Sequence, residues 1–236
     1  MPKELIKFRV KIADADVFIK TDSNKVASNA LESIRRNRLE VEKYALKNPI
    51  FLKALSPIQI NSDSPEVIKR MAYAAEFANV GPMAAVAGAI SDLAVEKMIE
   101  HGAEIAIVEN GGEISAISKR EINIAINTGS PFFSENFGLR ISPKDTPIGI
   151  GTSSATVGPG FSLGDADAAT VVADNAALGD AVSTSLCNEV KTKDLKISIK
   201  KGLELAKRIE GVRGSIIIKD NIVGLAGKLP QIISIE

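Results

Sequence analysis

The chain has 236 residues, 45% of them hydrophobic, which is enough apolar material for a substantial core. Lysine and arginine together number 29 and are balanced by 29 aspartates and glutamates, so the composition shows neither the basic surplus typical of nucleic-acid binding nor an acidic tail. The first residues lack a signal-peptide core, and no segment reaches the roughly 18 apolar residues that a membrane span needs. We therefore expect a globular, cytoplasmic protein that binds neither nucleic acid nor membrane.

Cysteine and histidine each occur once, at Cys187 and His101. A single cysteine excludes an internal disulfide, and one of each is too few for an ordinary zinc centre. Cys187 is predicted to be a buried structural thiol, because the only histidine is far along the sequence. His101 is predicted at the C-terminus of a helix, where the helix dipole favours a cation. We expect neither residue to be catalytic.

The N-terminal part of the chain is predicted to contain a hairpin, a short strand and three helices. Alternating apolar residues predict the hairpin over 8–20, and capping residues bound a helix from about 24 to 47. A short strand at 57–60 and two helices at 66–79 and 83–100 follow. The last helix begins with small residues and contains Gly88, which costs about 1 kcal/mol relative to alanine, so a close approach to another element is expected there.

The rest of the chain alternates strands with helices. A hairpin turns at 109–112 between strands 104–108 and 113–117, and the later predicted strands are 121–127, 136–141, 148–150, 169–173, 215–218 and 222–226. Helices are predicted after an N-cap at Asp174 or Asn175 and over 195–210.

An internal duplication is predicted from the order of these elements. Helix, glycine cap, strand, turn and strand occur over 93–116 and again over 203–226, each time after a helix of small residues. We therefore expect residues 1–236 to form a single compact unit with two interlocked pseudo-repeats, roughly 81–126 and 169–228.

A glycine-rich loop in the stretch 149–186 is the part of the sequence most typical of a binding site. Glycine lets backbone amides approach a ligand, and short hydroxyls beside such amides suit phosphate or carboxylate oxygens. The residues that combine these features are Gly151, Thr152, Ser153, Ser154 and Thr156. The pattern at 149–154 is neither a dinucleotide fingerprint nor a Walker A motif, because the third glycine and the glycine-lysine-serine sequence are missing.

Asp180 and Thr184 lie four residues apart in the helix that follows, which places a carboxylate above a hydroxyl on one side of the helix. That side is distinct from the apolar stripe of Leu178, Val182 and Leu186. Two hard oxygen ligands are typical of a magnesium or calcium site. The same spacing is also typical of a half-solvated helix face, and the residues alone leave both interpretations open.

Four segments, in this order, resemble the ApbE-like superfamily, the magnesium-dependent flavin transferases that move FMN from FAD onto a threonine or serine of a target protein. They are a small-residue helix ending in an aspartate, a glycine-glycine-acid hairpin, a threonine-serine strand end and a strand-turn-helix unit, at 83–92, 109–113, 151–154 and 170–186. The match covers roughly residues 81–226. The resemblance implies an α+β fold of two T-fold-like halves, with mostly antiparallel sheets backed by helices. It also implies Mg²⁺ ligands at Asp180 and Thr184, and FAD or FMN as the bound cofactor.

Two features of the superfamily are missing from the sequence. Ala87 stands where the superfamily has a lysine before the helix glycine. The superfamily's loop containing histidine and arginine is replaced by the shorter sequence 156–167, which has neither residue. The chain is therefore similar to a shorter branch of the superfamily.

The predicted site combines these segments. The predicted cofactor-binding residues are Asn110, Gly111, Gly112, Glu113, Gly151, Thr152, Ser153 and Ser154, and the predicted metal ligands are Asp180 and Thr184. Glu113, Asp165 or Asp167 could act as a base, and the sequence does not choose among them.

Three functions stay open. One is Mg²⁺-dependent FMN or nucleotidyl transfer with a phosphate-bearing or flavin-like ligand. The second is a binding protein without turnover for a small anionic or flavin-like ligand. The third is a structural or assembly role, and the sequence also leaves open whether the chain forms a homo-oligomer.

Overall fold

The structure is a computed structural model that describes residues 5–13, 15–126, 137–155 and 163–235. The helices are α1 (Asn24–Lys47), α2 (Pro49–Lys53), α3 (Glu66–Ala78), α4 (Val86–Glu100), α5 (Ala176–Glu189) and α6 (Leu195–Arg208). The strands are β1 (Ile6–Ile12), β2 (Ala15–Thr21), β3 (Ile105–Asn110), β4 (Glu113–Ser118), β5 (Ile122–Ala125), β6 (Phe137–Ile141), β7 (Ile148–Ser153), β8 (Ala168–Ala173), β9 (Val212–Lys219), β10 (Ile222–Gly227) and β11 (Gln231–Ser234). Short 3₁₀ turns span Pro82–Ala85, Pro143–Asp145 and Thr192–Asp194.

Two antiparallel sheets organise these elements. Eight strands pair in the order β1-β2-β3-β4-β7-β8-β9-β10, and each neighbouring pair is antiparallel. The other three strands form a second antiparallel sheet in the order β11-β6-β5. The predicted α+β class, with mostly antiparallel sheets backed by helices, is confirmed.

The large sheet is covered on both faces. The helices pack on one face around a core of alanine, valine and isoleucine, and α5 contacts β7, β8, α3 and α4. Eleven of the 14 residues of α5 are buried. The small sheet packs on the other face around an isoleucine-rich core that includes Ile105, Ile148 and Ile150. Because both faces are occupied, the exposed parts of the large sheet are its two edges and the ends of its strands.

Most predicted elements are present, and one is wrong. The predicted hairpin is β1 with β2, and the predicted helices correspond to α1, α3, α4, α5 and α6. The strand predicted at 57–60 is absent, since this segment runs without regular structure between α2 and α3. The apolar residues Ile58 and Ile60 of this segment alternate as in a strand, but they pack against the helical core. Thr156, in the predicted glycine-rich loop, lies outside the described residues.

The two halves of the large sheet have the same order of elements. β1 and β2 lead through α1 to α4 into β3 and β4, and β7 and β8 lead through α5 and α6 into β9 and β10. Within each half the four strands lie side by side in sequence order. We propose that this arrangement is the internal duplication, of which 81–126 and 169–228 are the parts visible in the sequence.

Three glycines allow α5 to lie directly against its neighbours. A Cβ added to Gly88 of α4 would lie 2.2 Å from the carbonyl oxygen of Ala176, at the start of α5. A Cβ added to Gly151 of β7 would lie 2.3 Å from the carbonyl carbon of Gly179, and Gly149 meets the α5 N-cap residue in the same way. Backbone therefore contacts backbone on two sides of α5, as the small residues of α4 predicted.

Two aspartates cap the helices α4 and α5 reciprocally. The first amides of a helix have no partner within the helix and need an acceptor from elsewhere. The carboxylate of Asp92, in α4, accepts the amides of Ala176 and Ala177 of α5, both at 2.9 Å. The carboxylate of Asp180, in α5, accepts the Gly88 amide of α4 at 2.9 Å. Each helix thus supplies the cap of the other, and a change in either one affects both.

No single helix among the described residues is long and apolar enough to cross a membrane. The segments Glu66–Ala78 and Pro82–Glu100 have the length and composition of a membrane span only when they are taken together, and they are bent by 106° relative to each other.

Replacing Gly88 by alanine is expected to destabilise the protein, although alanine is the better helix former. The added methyl group would meet backbone, which cannot move aside, so we expect a loss of about 1 to 3 kcal/mol in the free energy of unfolding. Gly202→Ala in α6 is the matched control, because its Cβ meets only the flexible end of the Ile217 side chain. Urea denaturation that finds Gly88→Ala as stable as the wild type would contradict the proposed contact.

Candidate functional site

Four separated segments meet at one end of the central strands. The turn between β3 and β4 brings Glu113 beside the end of β7, where the Thr152 amide donates to the Glu113 carboxylate. The second turn of α5 lies on the same end of β7, since Gly179 packs directly against Gly151. The first turn of α4 completes the group through its bond to Asp180. The structure therefore brings together the segments that the sequence assigned to one site.

Asp180 is a buried carboxylate without an ion-pair partner in the described part of the chain. Its residue is only 9% exposed, so the alternative interpretation as a half-solvated helix face is wrong for this position. Burial raises the pKa of Asp180 to about 7, with a smaller contribution from the negative charge of Asp92, although the Gly88 and Ala87 amides act in the opposite direction. A carboxyl group with this pKa is protonated below neutral pH, and a cation close to it would favour the ionised form.

Glu113 is the second buried carboxylate of the site. It is also 9% exposed, and burial together with the nearby charge of Asp180 raises its pKa well above the usual range. Its own amide and that of Thr152 donate to the carboxylate and partly offset this effect. Two neighbouring carboxylates that repel each other in a buried place are typical of sites that bind a cation or hold a proton.

The predicted glycine-glycine turn is a tight hairpin, and one of its amides already donates a hydrogen bond within the protein. Gly111 and Gly112 have φ values of +70° and +113°, a conformation that favours glycine. The Gly111 amide donates to the carbonyl oxygen of Asp16 at 3.1 Å, which joins this turn to the hairpin of β1 and β2. The side chain of Asn110 is buried and donates to the carbonyl oxygen of Ala87 at 3.4 Å. This turn is therefore anchored to the first turn of α4.

At the end of β7 the Thr152 amide donates to the Glu113 carboxylate. The Thr152 side chain follows Ile148 and Ile150 in the alternation of the strand, so it faces the side of the large sheet that packs against the small sheet. Thr152, Ser153 and Ser154 are half-buried, and the Thr152 hydroxyl lies 3.1 Å from that of Thr170 on β8. Gly151 lies within β7, paired with β8, and its open side is filled by α5. Its role in the packing is thus visible in the structure, whereas its predicted contact with a ligand stays a prediction.

Thr184 lies one helical turn after Asp180 and is half-buried. The neighbouring hydroxyl of Ser183 donates instead to the Asp180 carbonyl oxygen at 2.8 Å, within α5. Asp180 and Thr184 are hard oxygen donors, which suits Mg²⁺, and a cation there would also relieve the repulsion between Asp180 and Glu113. Within the described residues no group of three or more acidic, histidine or cysteine side chains could hold a metal by itself. Mg²⁺ commonly keeps few protein ligands and takes the others from phosphates and water, so the residues present fit this ion in combination with a phosphate-bearing ligand.

Only one of the three acids proposed as a base lies beside Asp180. Asp165 accepts both the amide and the hydroxyl of Thr192, at 3.0 and 2.8 Å. Asp167 accepts the ammonium of Lys219 at 2.8 Å, so its charge is neutralised. Glu113 is therefore the acid of this set that the structure places in the site.

The single histidine lies at the C-terminal end of α4 and the single cysteine is buried, as predicted. His101 follows the last residue of α4 and its ring bonds the Lys97 carbonyl oxygen at 2.8 Å. The site is at the other end of this helix, roughly 20 Å away at 1.5 Å per residue. Cys187 is fully buried in α5.

The structural role of Asp92 was not predicted from the sequence. Its carboxylate accepts the Ser115 hydroxyl at 2.7 Å in addition to the two amides of α5, and so joins β4 to the start of the helix that carries Asp180. The only signal in the sequence is a lone acid among small residues in α4. Such an acid indicates a buried partner without identifying it.

The chain is similar to one family model and to relatives of similar length. A family model described as AbpE bacteria matches residues 1–209. The chain is 37% identical over 232 residues to a UPF0280 protein of Methanocaldococcus jannaschii, covering 98% of this chain and 94% of that protein. It is 39% identical over 236 residues to a UPF0280 protein of Methanococcus vannielii, covering 99% and 95%.

Solved structures show the same fold at low sequence identity. An ApbE protein from Thermotoga maritima superposes with a TM-score of 0.60 at 13% identity, covering 99% of this chain and 97% of that one. The flavinyl transferase ApbE from Pseudomonas stutzeri, in its apo form, gives a TM-score of 0.59 at 13% identity and covers 94% of both chains. Together with the match over residues 1–209, these similarities show that the chain belongs to the family described as AbpE bacteria and is an ApbE-like protein.

Proposed function

We propose that this protein binds a flavin nucleotide or another phosphate-bearing ligand together with Mg²⁺, and transfers FMN or a nucleotidyl group from it. The observation that carries the proposal is the pair of buried carboxylates, Asp180 and Glu113, which form no ion pair within the described residues. Burying two unpaired acids costs stability unless a function requires them. The fold shared with flavin transferases supports a flavin nucleotide as the ligand.

Asp180 and Thr184 would hold the metal, and Glu113 would lie beside it. When bound, Mg²⁺ would neutralise negative charge on phosphate oxygens and on the leaving group. Glu113 is the acid that could take the proton from an attacking hydroxyl, because it is buried, it has a raised pKa and it lies beside Asp180. Asn110 and the hydroxyls of Ser153 and Ser154 would position the ligand.

A binding protein without turnover is the second candidate. It is favoured by the sequence 156–167, which contains no histidine or arginine, and by the position of His101 at the far end of α4. The cationic and proton-transferring groups of a larger nucleotide site are thus reduced here. The two candidates differ in whether FAD is changed after it binds.

Asp180→Asn is expected to abolish stabilisation by FAD and Mg²⁺, because the carboxylate is the proposed metal ligand. For the wild type, a ligand at 100 times its Kd raises the free energy of unfolding by about 2.7 kcal/mol, which at this chain length corresponds to a rise in Tm of about 5 to 10 °C. Thr184→Val should reduce the rise in Tm, because it removes the second ligand while keeping the shape of the side chain. Differential scanning fluorimetry measures both.

Asp92→Asn is the matched control, because Asp92 is also a buried helix-capping aspartate but is not a proposed ligand. It should lower the Tm of the free protein and keep the rise in Tm caused by FAD and Mg²⁺.

Release of AMP from FAD in the presence of a peptide with threonine and serine separates the two candidate functions. AMP with flavin on the peptide supports transfer, intact bound FAD supports the binding protein, and the absence of any stabilisation by FAD with Mg²⁺ would contradict both.

The stability of the metal-free protein is expected to fall as pH rises from about 4 to 7. In the unfolded chain an aspartate titrates near 3.9, whereas in the folded protein the pKa of Asp180 is raised to about 7. The folded state therefore holds a proton that the unfolded state has already lost, so the free energy of unfolding decreases with pH across this window and levels off above it. Glu113 acts in the same direction.

Asp180→Asn should flatten this dependence, as measured by urea denaturation at several pH values in EDTA. Asp145→Asn is the control, because hydrogen bonds from Ser142 lower the pKa of Asp145, and its contribution is lost only at more acidic pH. An unchanged slope in Asp180→Asn would show that the Asp180 carboxylate is not titrating in this range.

A further inference from the structure

A pocket of about 360 Å³ opens at the opposite end of β7 from the candidate site. Its floor contains Ile148, the first residue of β7, and Val172 of β8, which both belong to the core between the two sheets. Leu229 and Pro230 form one wall. Ile148 lies four residues before Thr152, or about 13 Å along an extended strand. The pocket is therefore a separate cavity, and its size is within the range of small-molecule sites.

Three cationic side chains from separate parts of the chain line this pocket. They are Lys144, in the 3₁₀ turn before β7, Arg213, near the start of β9, and Lys228, which follows β10. The guanidinium of Arg213 donates to the Asp174 carboxylate at 2.6 Å and to the carbonyl oxygen of Pro147 at 2.8 Å. The charge of Arg213 is therefore paired, and its side chain is fixed against the loop that precedes β7.

The two lysines, in contrast, form no ion pair within the described residues. Asp145 is the only acid among the described residues that line the pocket. Its carboxylate accepts the hydroxyl and the amide of Ser142, at 2.7 and 2.9 Å. These bonds lower the pKa of Asp145, and the nearby charges of Lys144 and Lys228 contribute in the same direction. Two ammonium groups thus lie near one carboxylate that is already hydrogen-bonded, which leaves positive charge beside an apolar floor.

This combination suits a molecule with an apolar body and an acidic head group. The body would cover the side chains of Ile148, Val172 and Leu229 and so remove apolar surface from water. A carboxylate at its edge would pair with the lysine charges. A small inorganic anion would leave the floor in contact with water, and a neutral ring would leave the lysines unpaired.

We propose that this pocket is a second ligand site, which binds a small organic acid with its carboxylate between Lys144 and Lys228. The site is distinct from the nucleotide site proposed above, because it lies at the other end of the central strands and uses none of the same residues. Its ligand needs an apolar or aromatic body, which contacts Ile148, Val172 and Leu229.

Methyl NMR of the wild-type protein, with 2-naphthoate as the probe, tests the position of the site. The aromatic ring should shift the methyl signals of Ile148, Val172 and Leu229 in a saturable way, with a Kd at or below about 1 mM. The methyl signals of Val182, which lies two residues after Asp180, should not move. Shifts that do not saturate, or saturable shifts at Val182 with none at Ile148, would overturn the proposal.

Two further probes test the chemistry of recognition. The amide 2-naphthamide has the same ring without the charge and should bind at least about 10-fold more weakly, because it leaves the lysines unpaired. Inorganic phosphate has charge without a ring and should cause no saturable shift. Equal binding of the amide would overturn the role of the lysines, and equal binding of phosphate would overturn the role of the apolar floor.

Replacing both lysines, as Lys144→Gln with Lys228→Gln, should weaken the binding of 2-naphthoate by about 10-fold and leave that of 2-naphthamide unchanged. Lys200→Gln with Lys201→Gln in α6 is the matched control, because it removes the same charge from two exposed lysines outside the pocket. An unchanged affinity in the pocket variant, or an equal loss in the control, would overturn the assigned position of the carboxylate. These titrations contain neither flavin nor Mg²⁺, so their failure would leave the proposed nucleotide binding intact.

Discussion

The reciprocal capping of α4 and α5 is the constraint on which the rest of the structure depends. Two helix N-termini approach each other, and each has unpaired amides that need an acceptor. Asp92 and Asp180 supply those acceptors across the contact. This is possible only because Gly88 lets the two backbones touch. The position of Asp180 is therefore set by the packing of the helices before any ligand is considered.

In the same arrangement, some neighbours of Asp180 favour its charged form and others favour its protonated form. As a cap its charged form is stabilised by the Ala87 and Gly88 amides, whereas burial and the nearby charge of Asp92 favour its protonated form. A metal ion would stabilise the charged carboxylate against the effect of burial, and the hydrogen bonds from the amides would remain. The site is thus part of the scaffold, and the energy of the fold and the energy of binding are linked through one side chain.

The sequence predicts the elements well because their signals are local. Periodicity, caps and glycine turns identified α1, α3, α4 and most strands, and four short motifs identified the segments that meet at the candidate site. The false strand at 57–60 shows the limit of this reasoning, since a segment that packs against helices can have the alternation of a strand. The partner of Asp92 lies 84 residues away. No local pattern contains such a contact, so the roles of Asp92 and Gly151 required the structure.

Coverage of the large sheet on both faces has a consequence for how this architecture can diversify. With helices on one face and the small sheet on the other, material added within the layers would break the packing. Outside these layers, the connection between β7 and β8 begins at the end of β7, beside Glu113. Its length can change without disturbing either core. Related proteins could therefore change their ligand by lengthening or shortening this connection while keeping the buried carboxyl groups of Asp180 and Glu113.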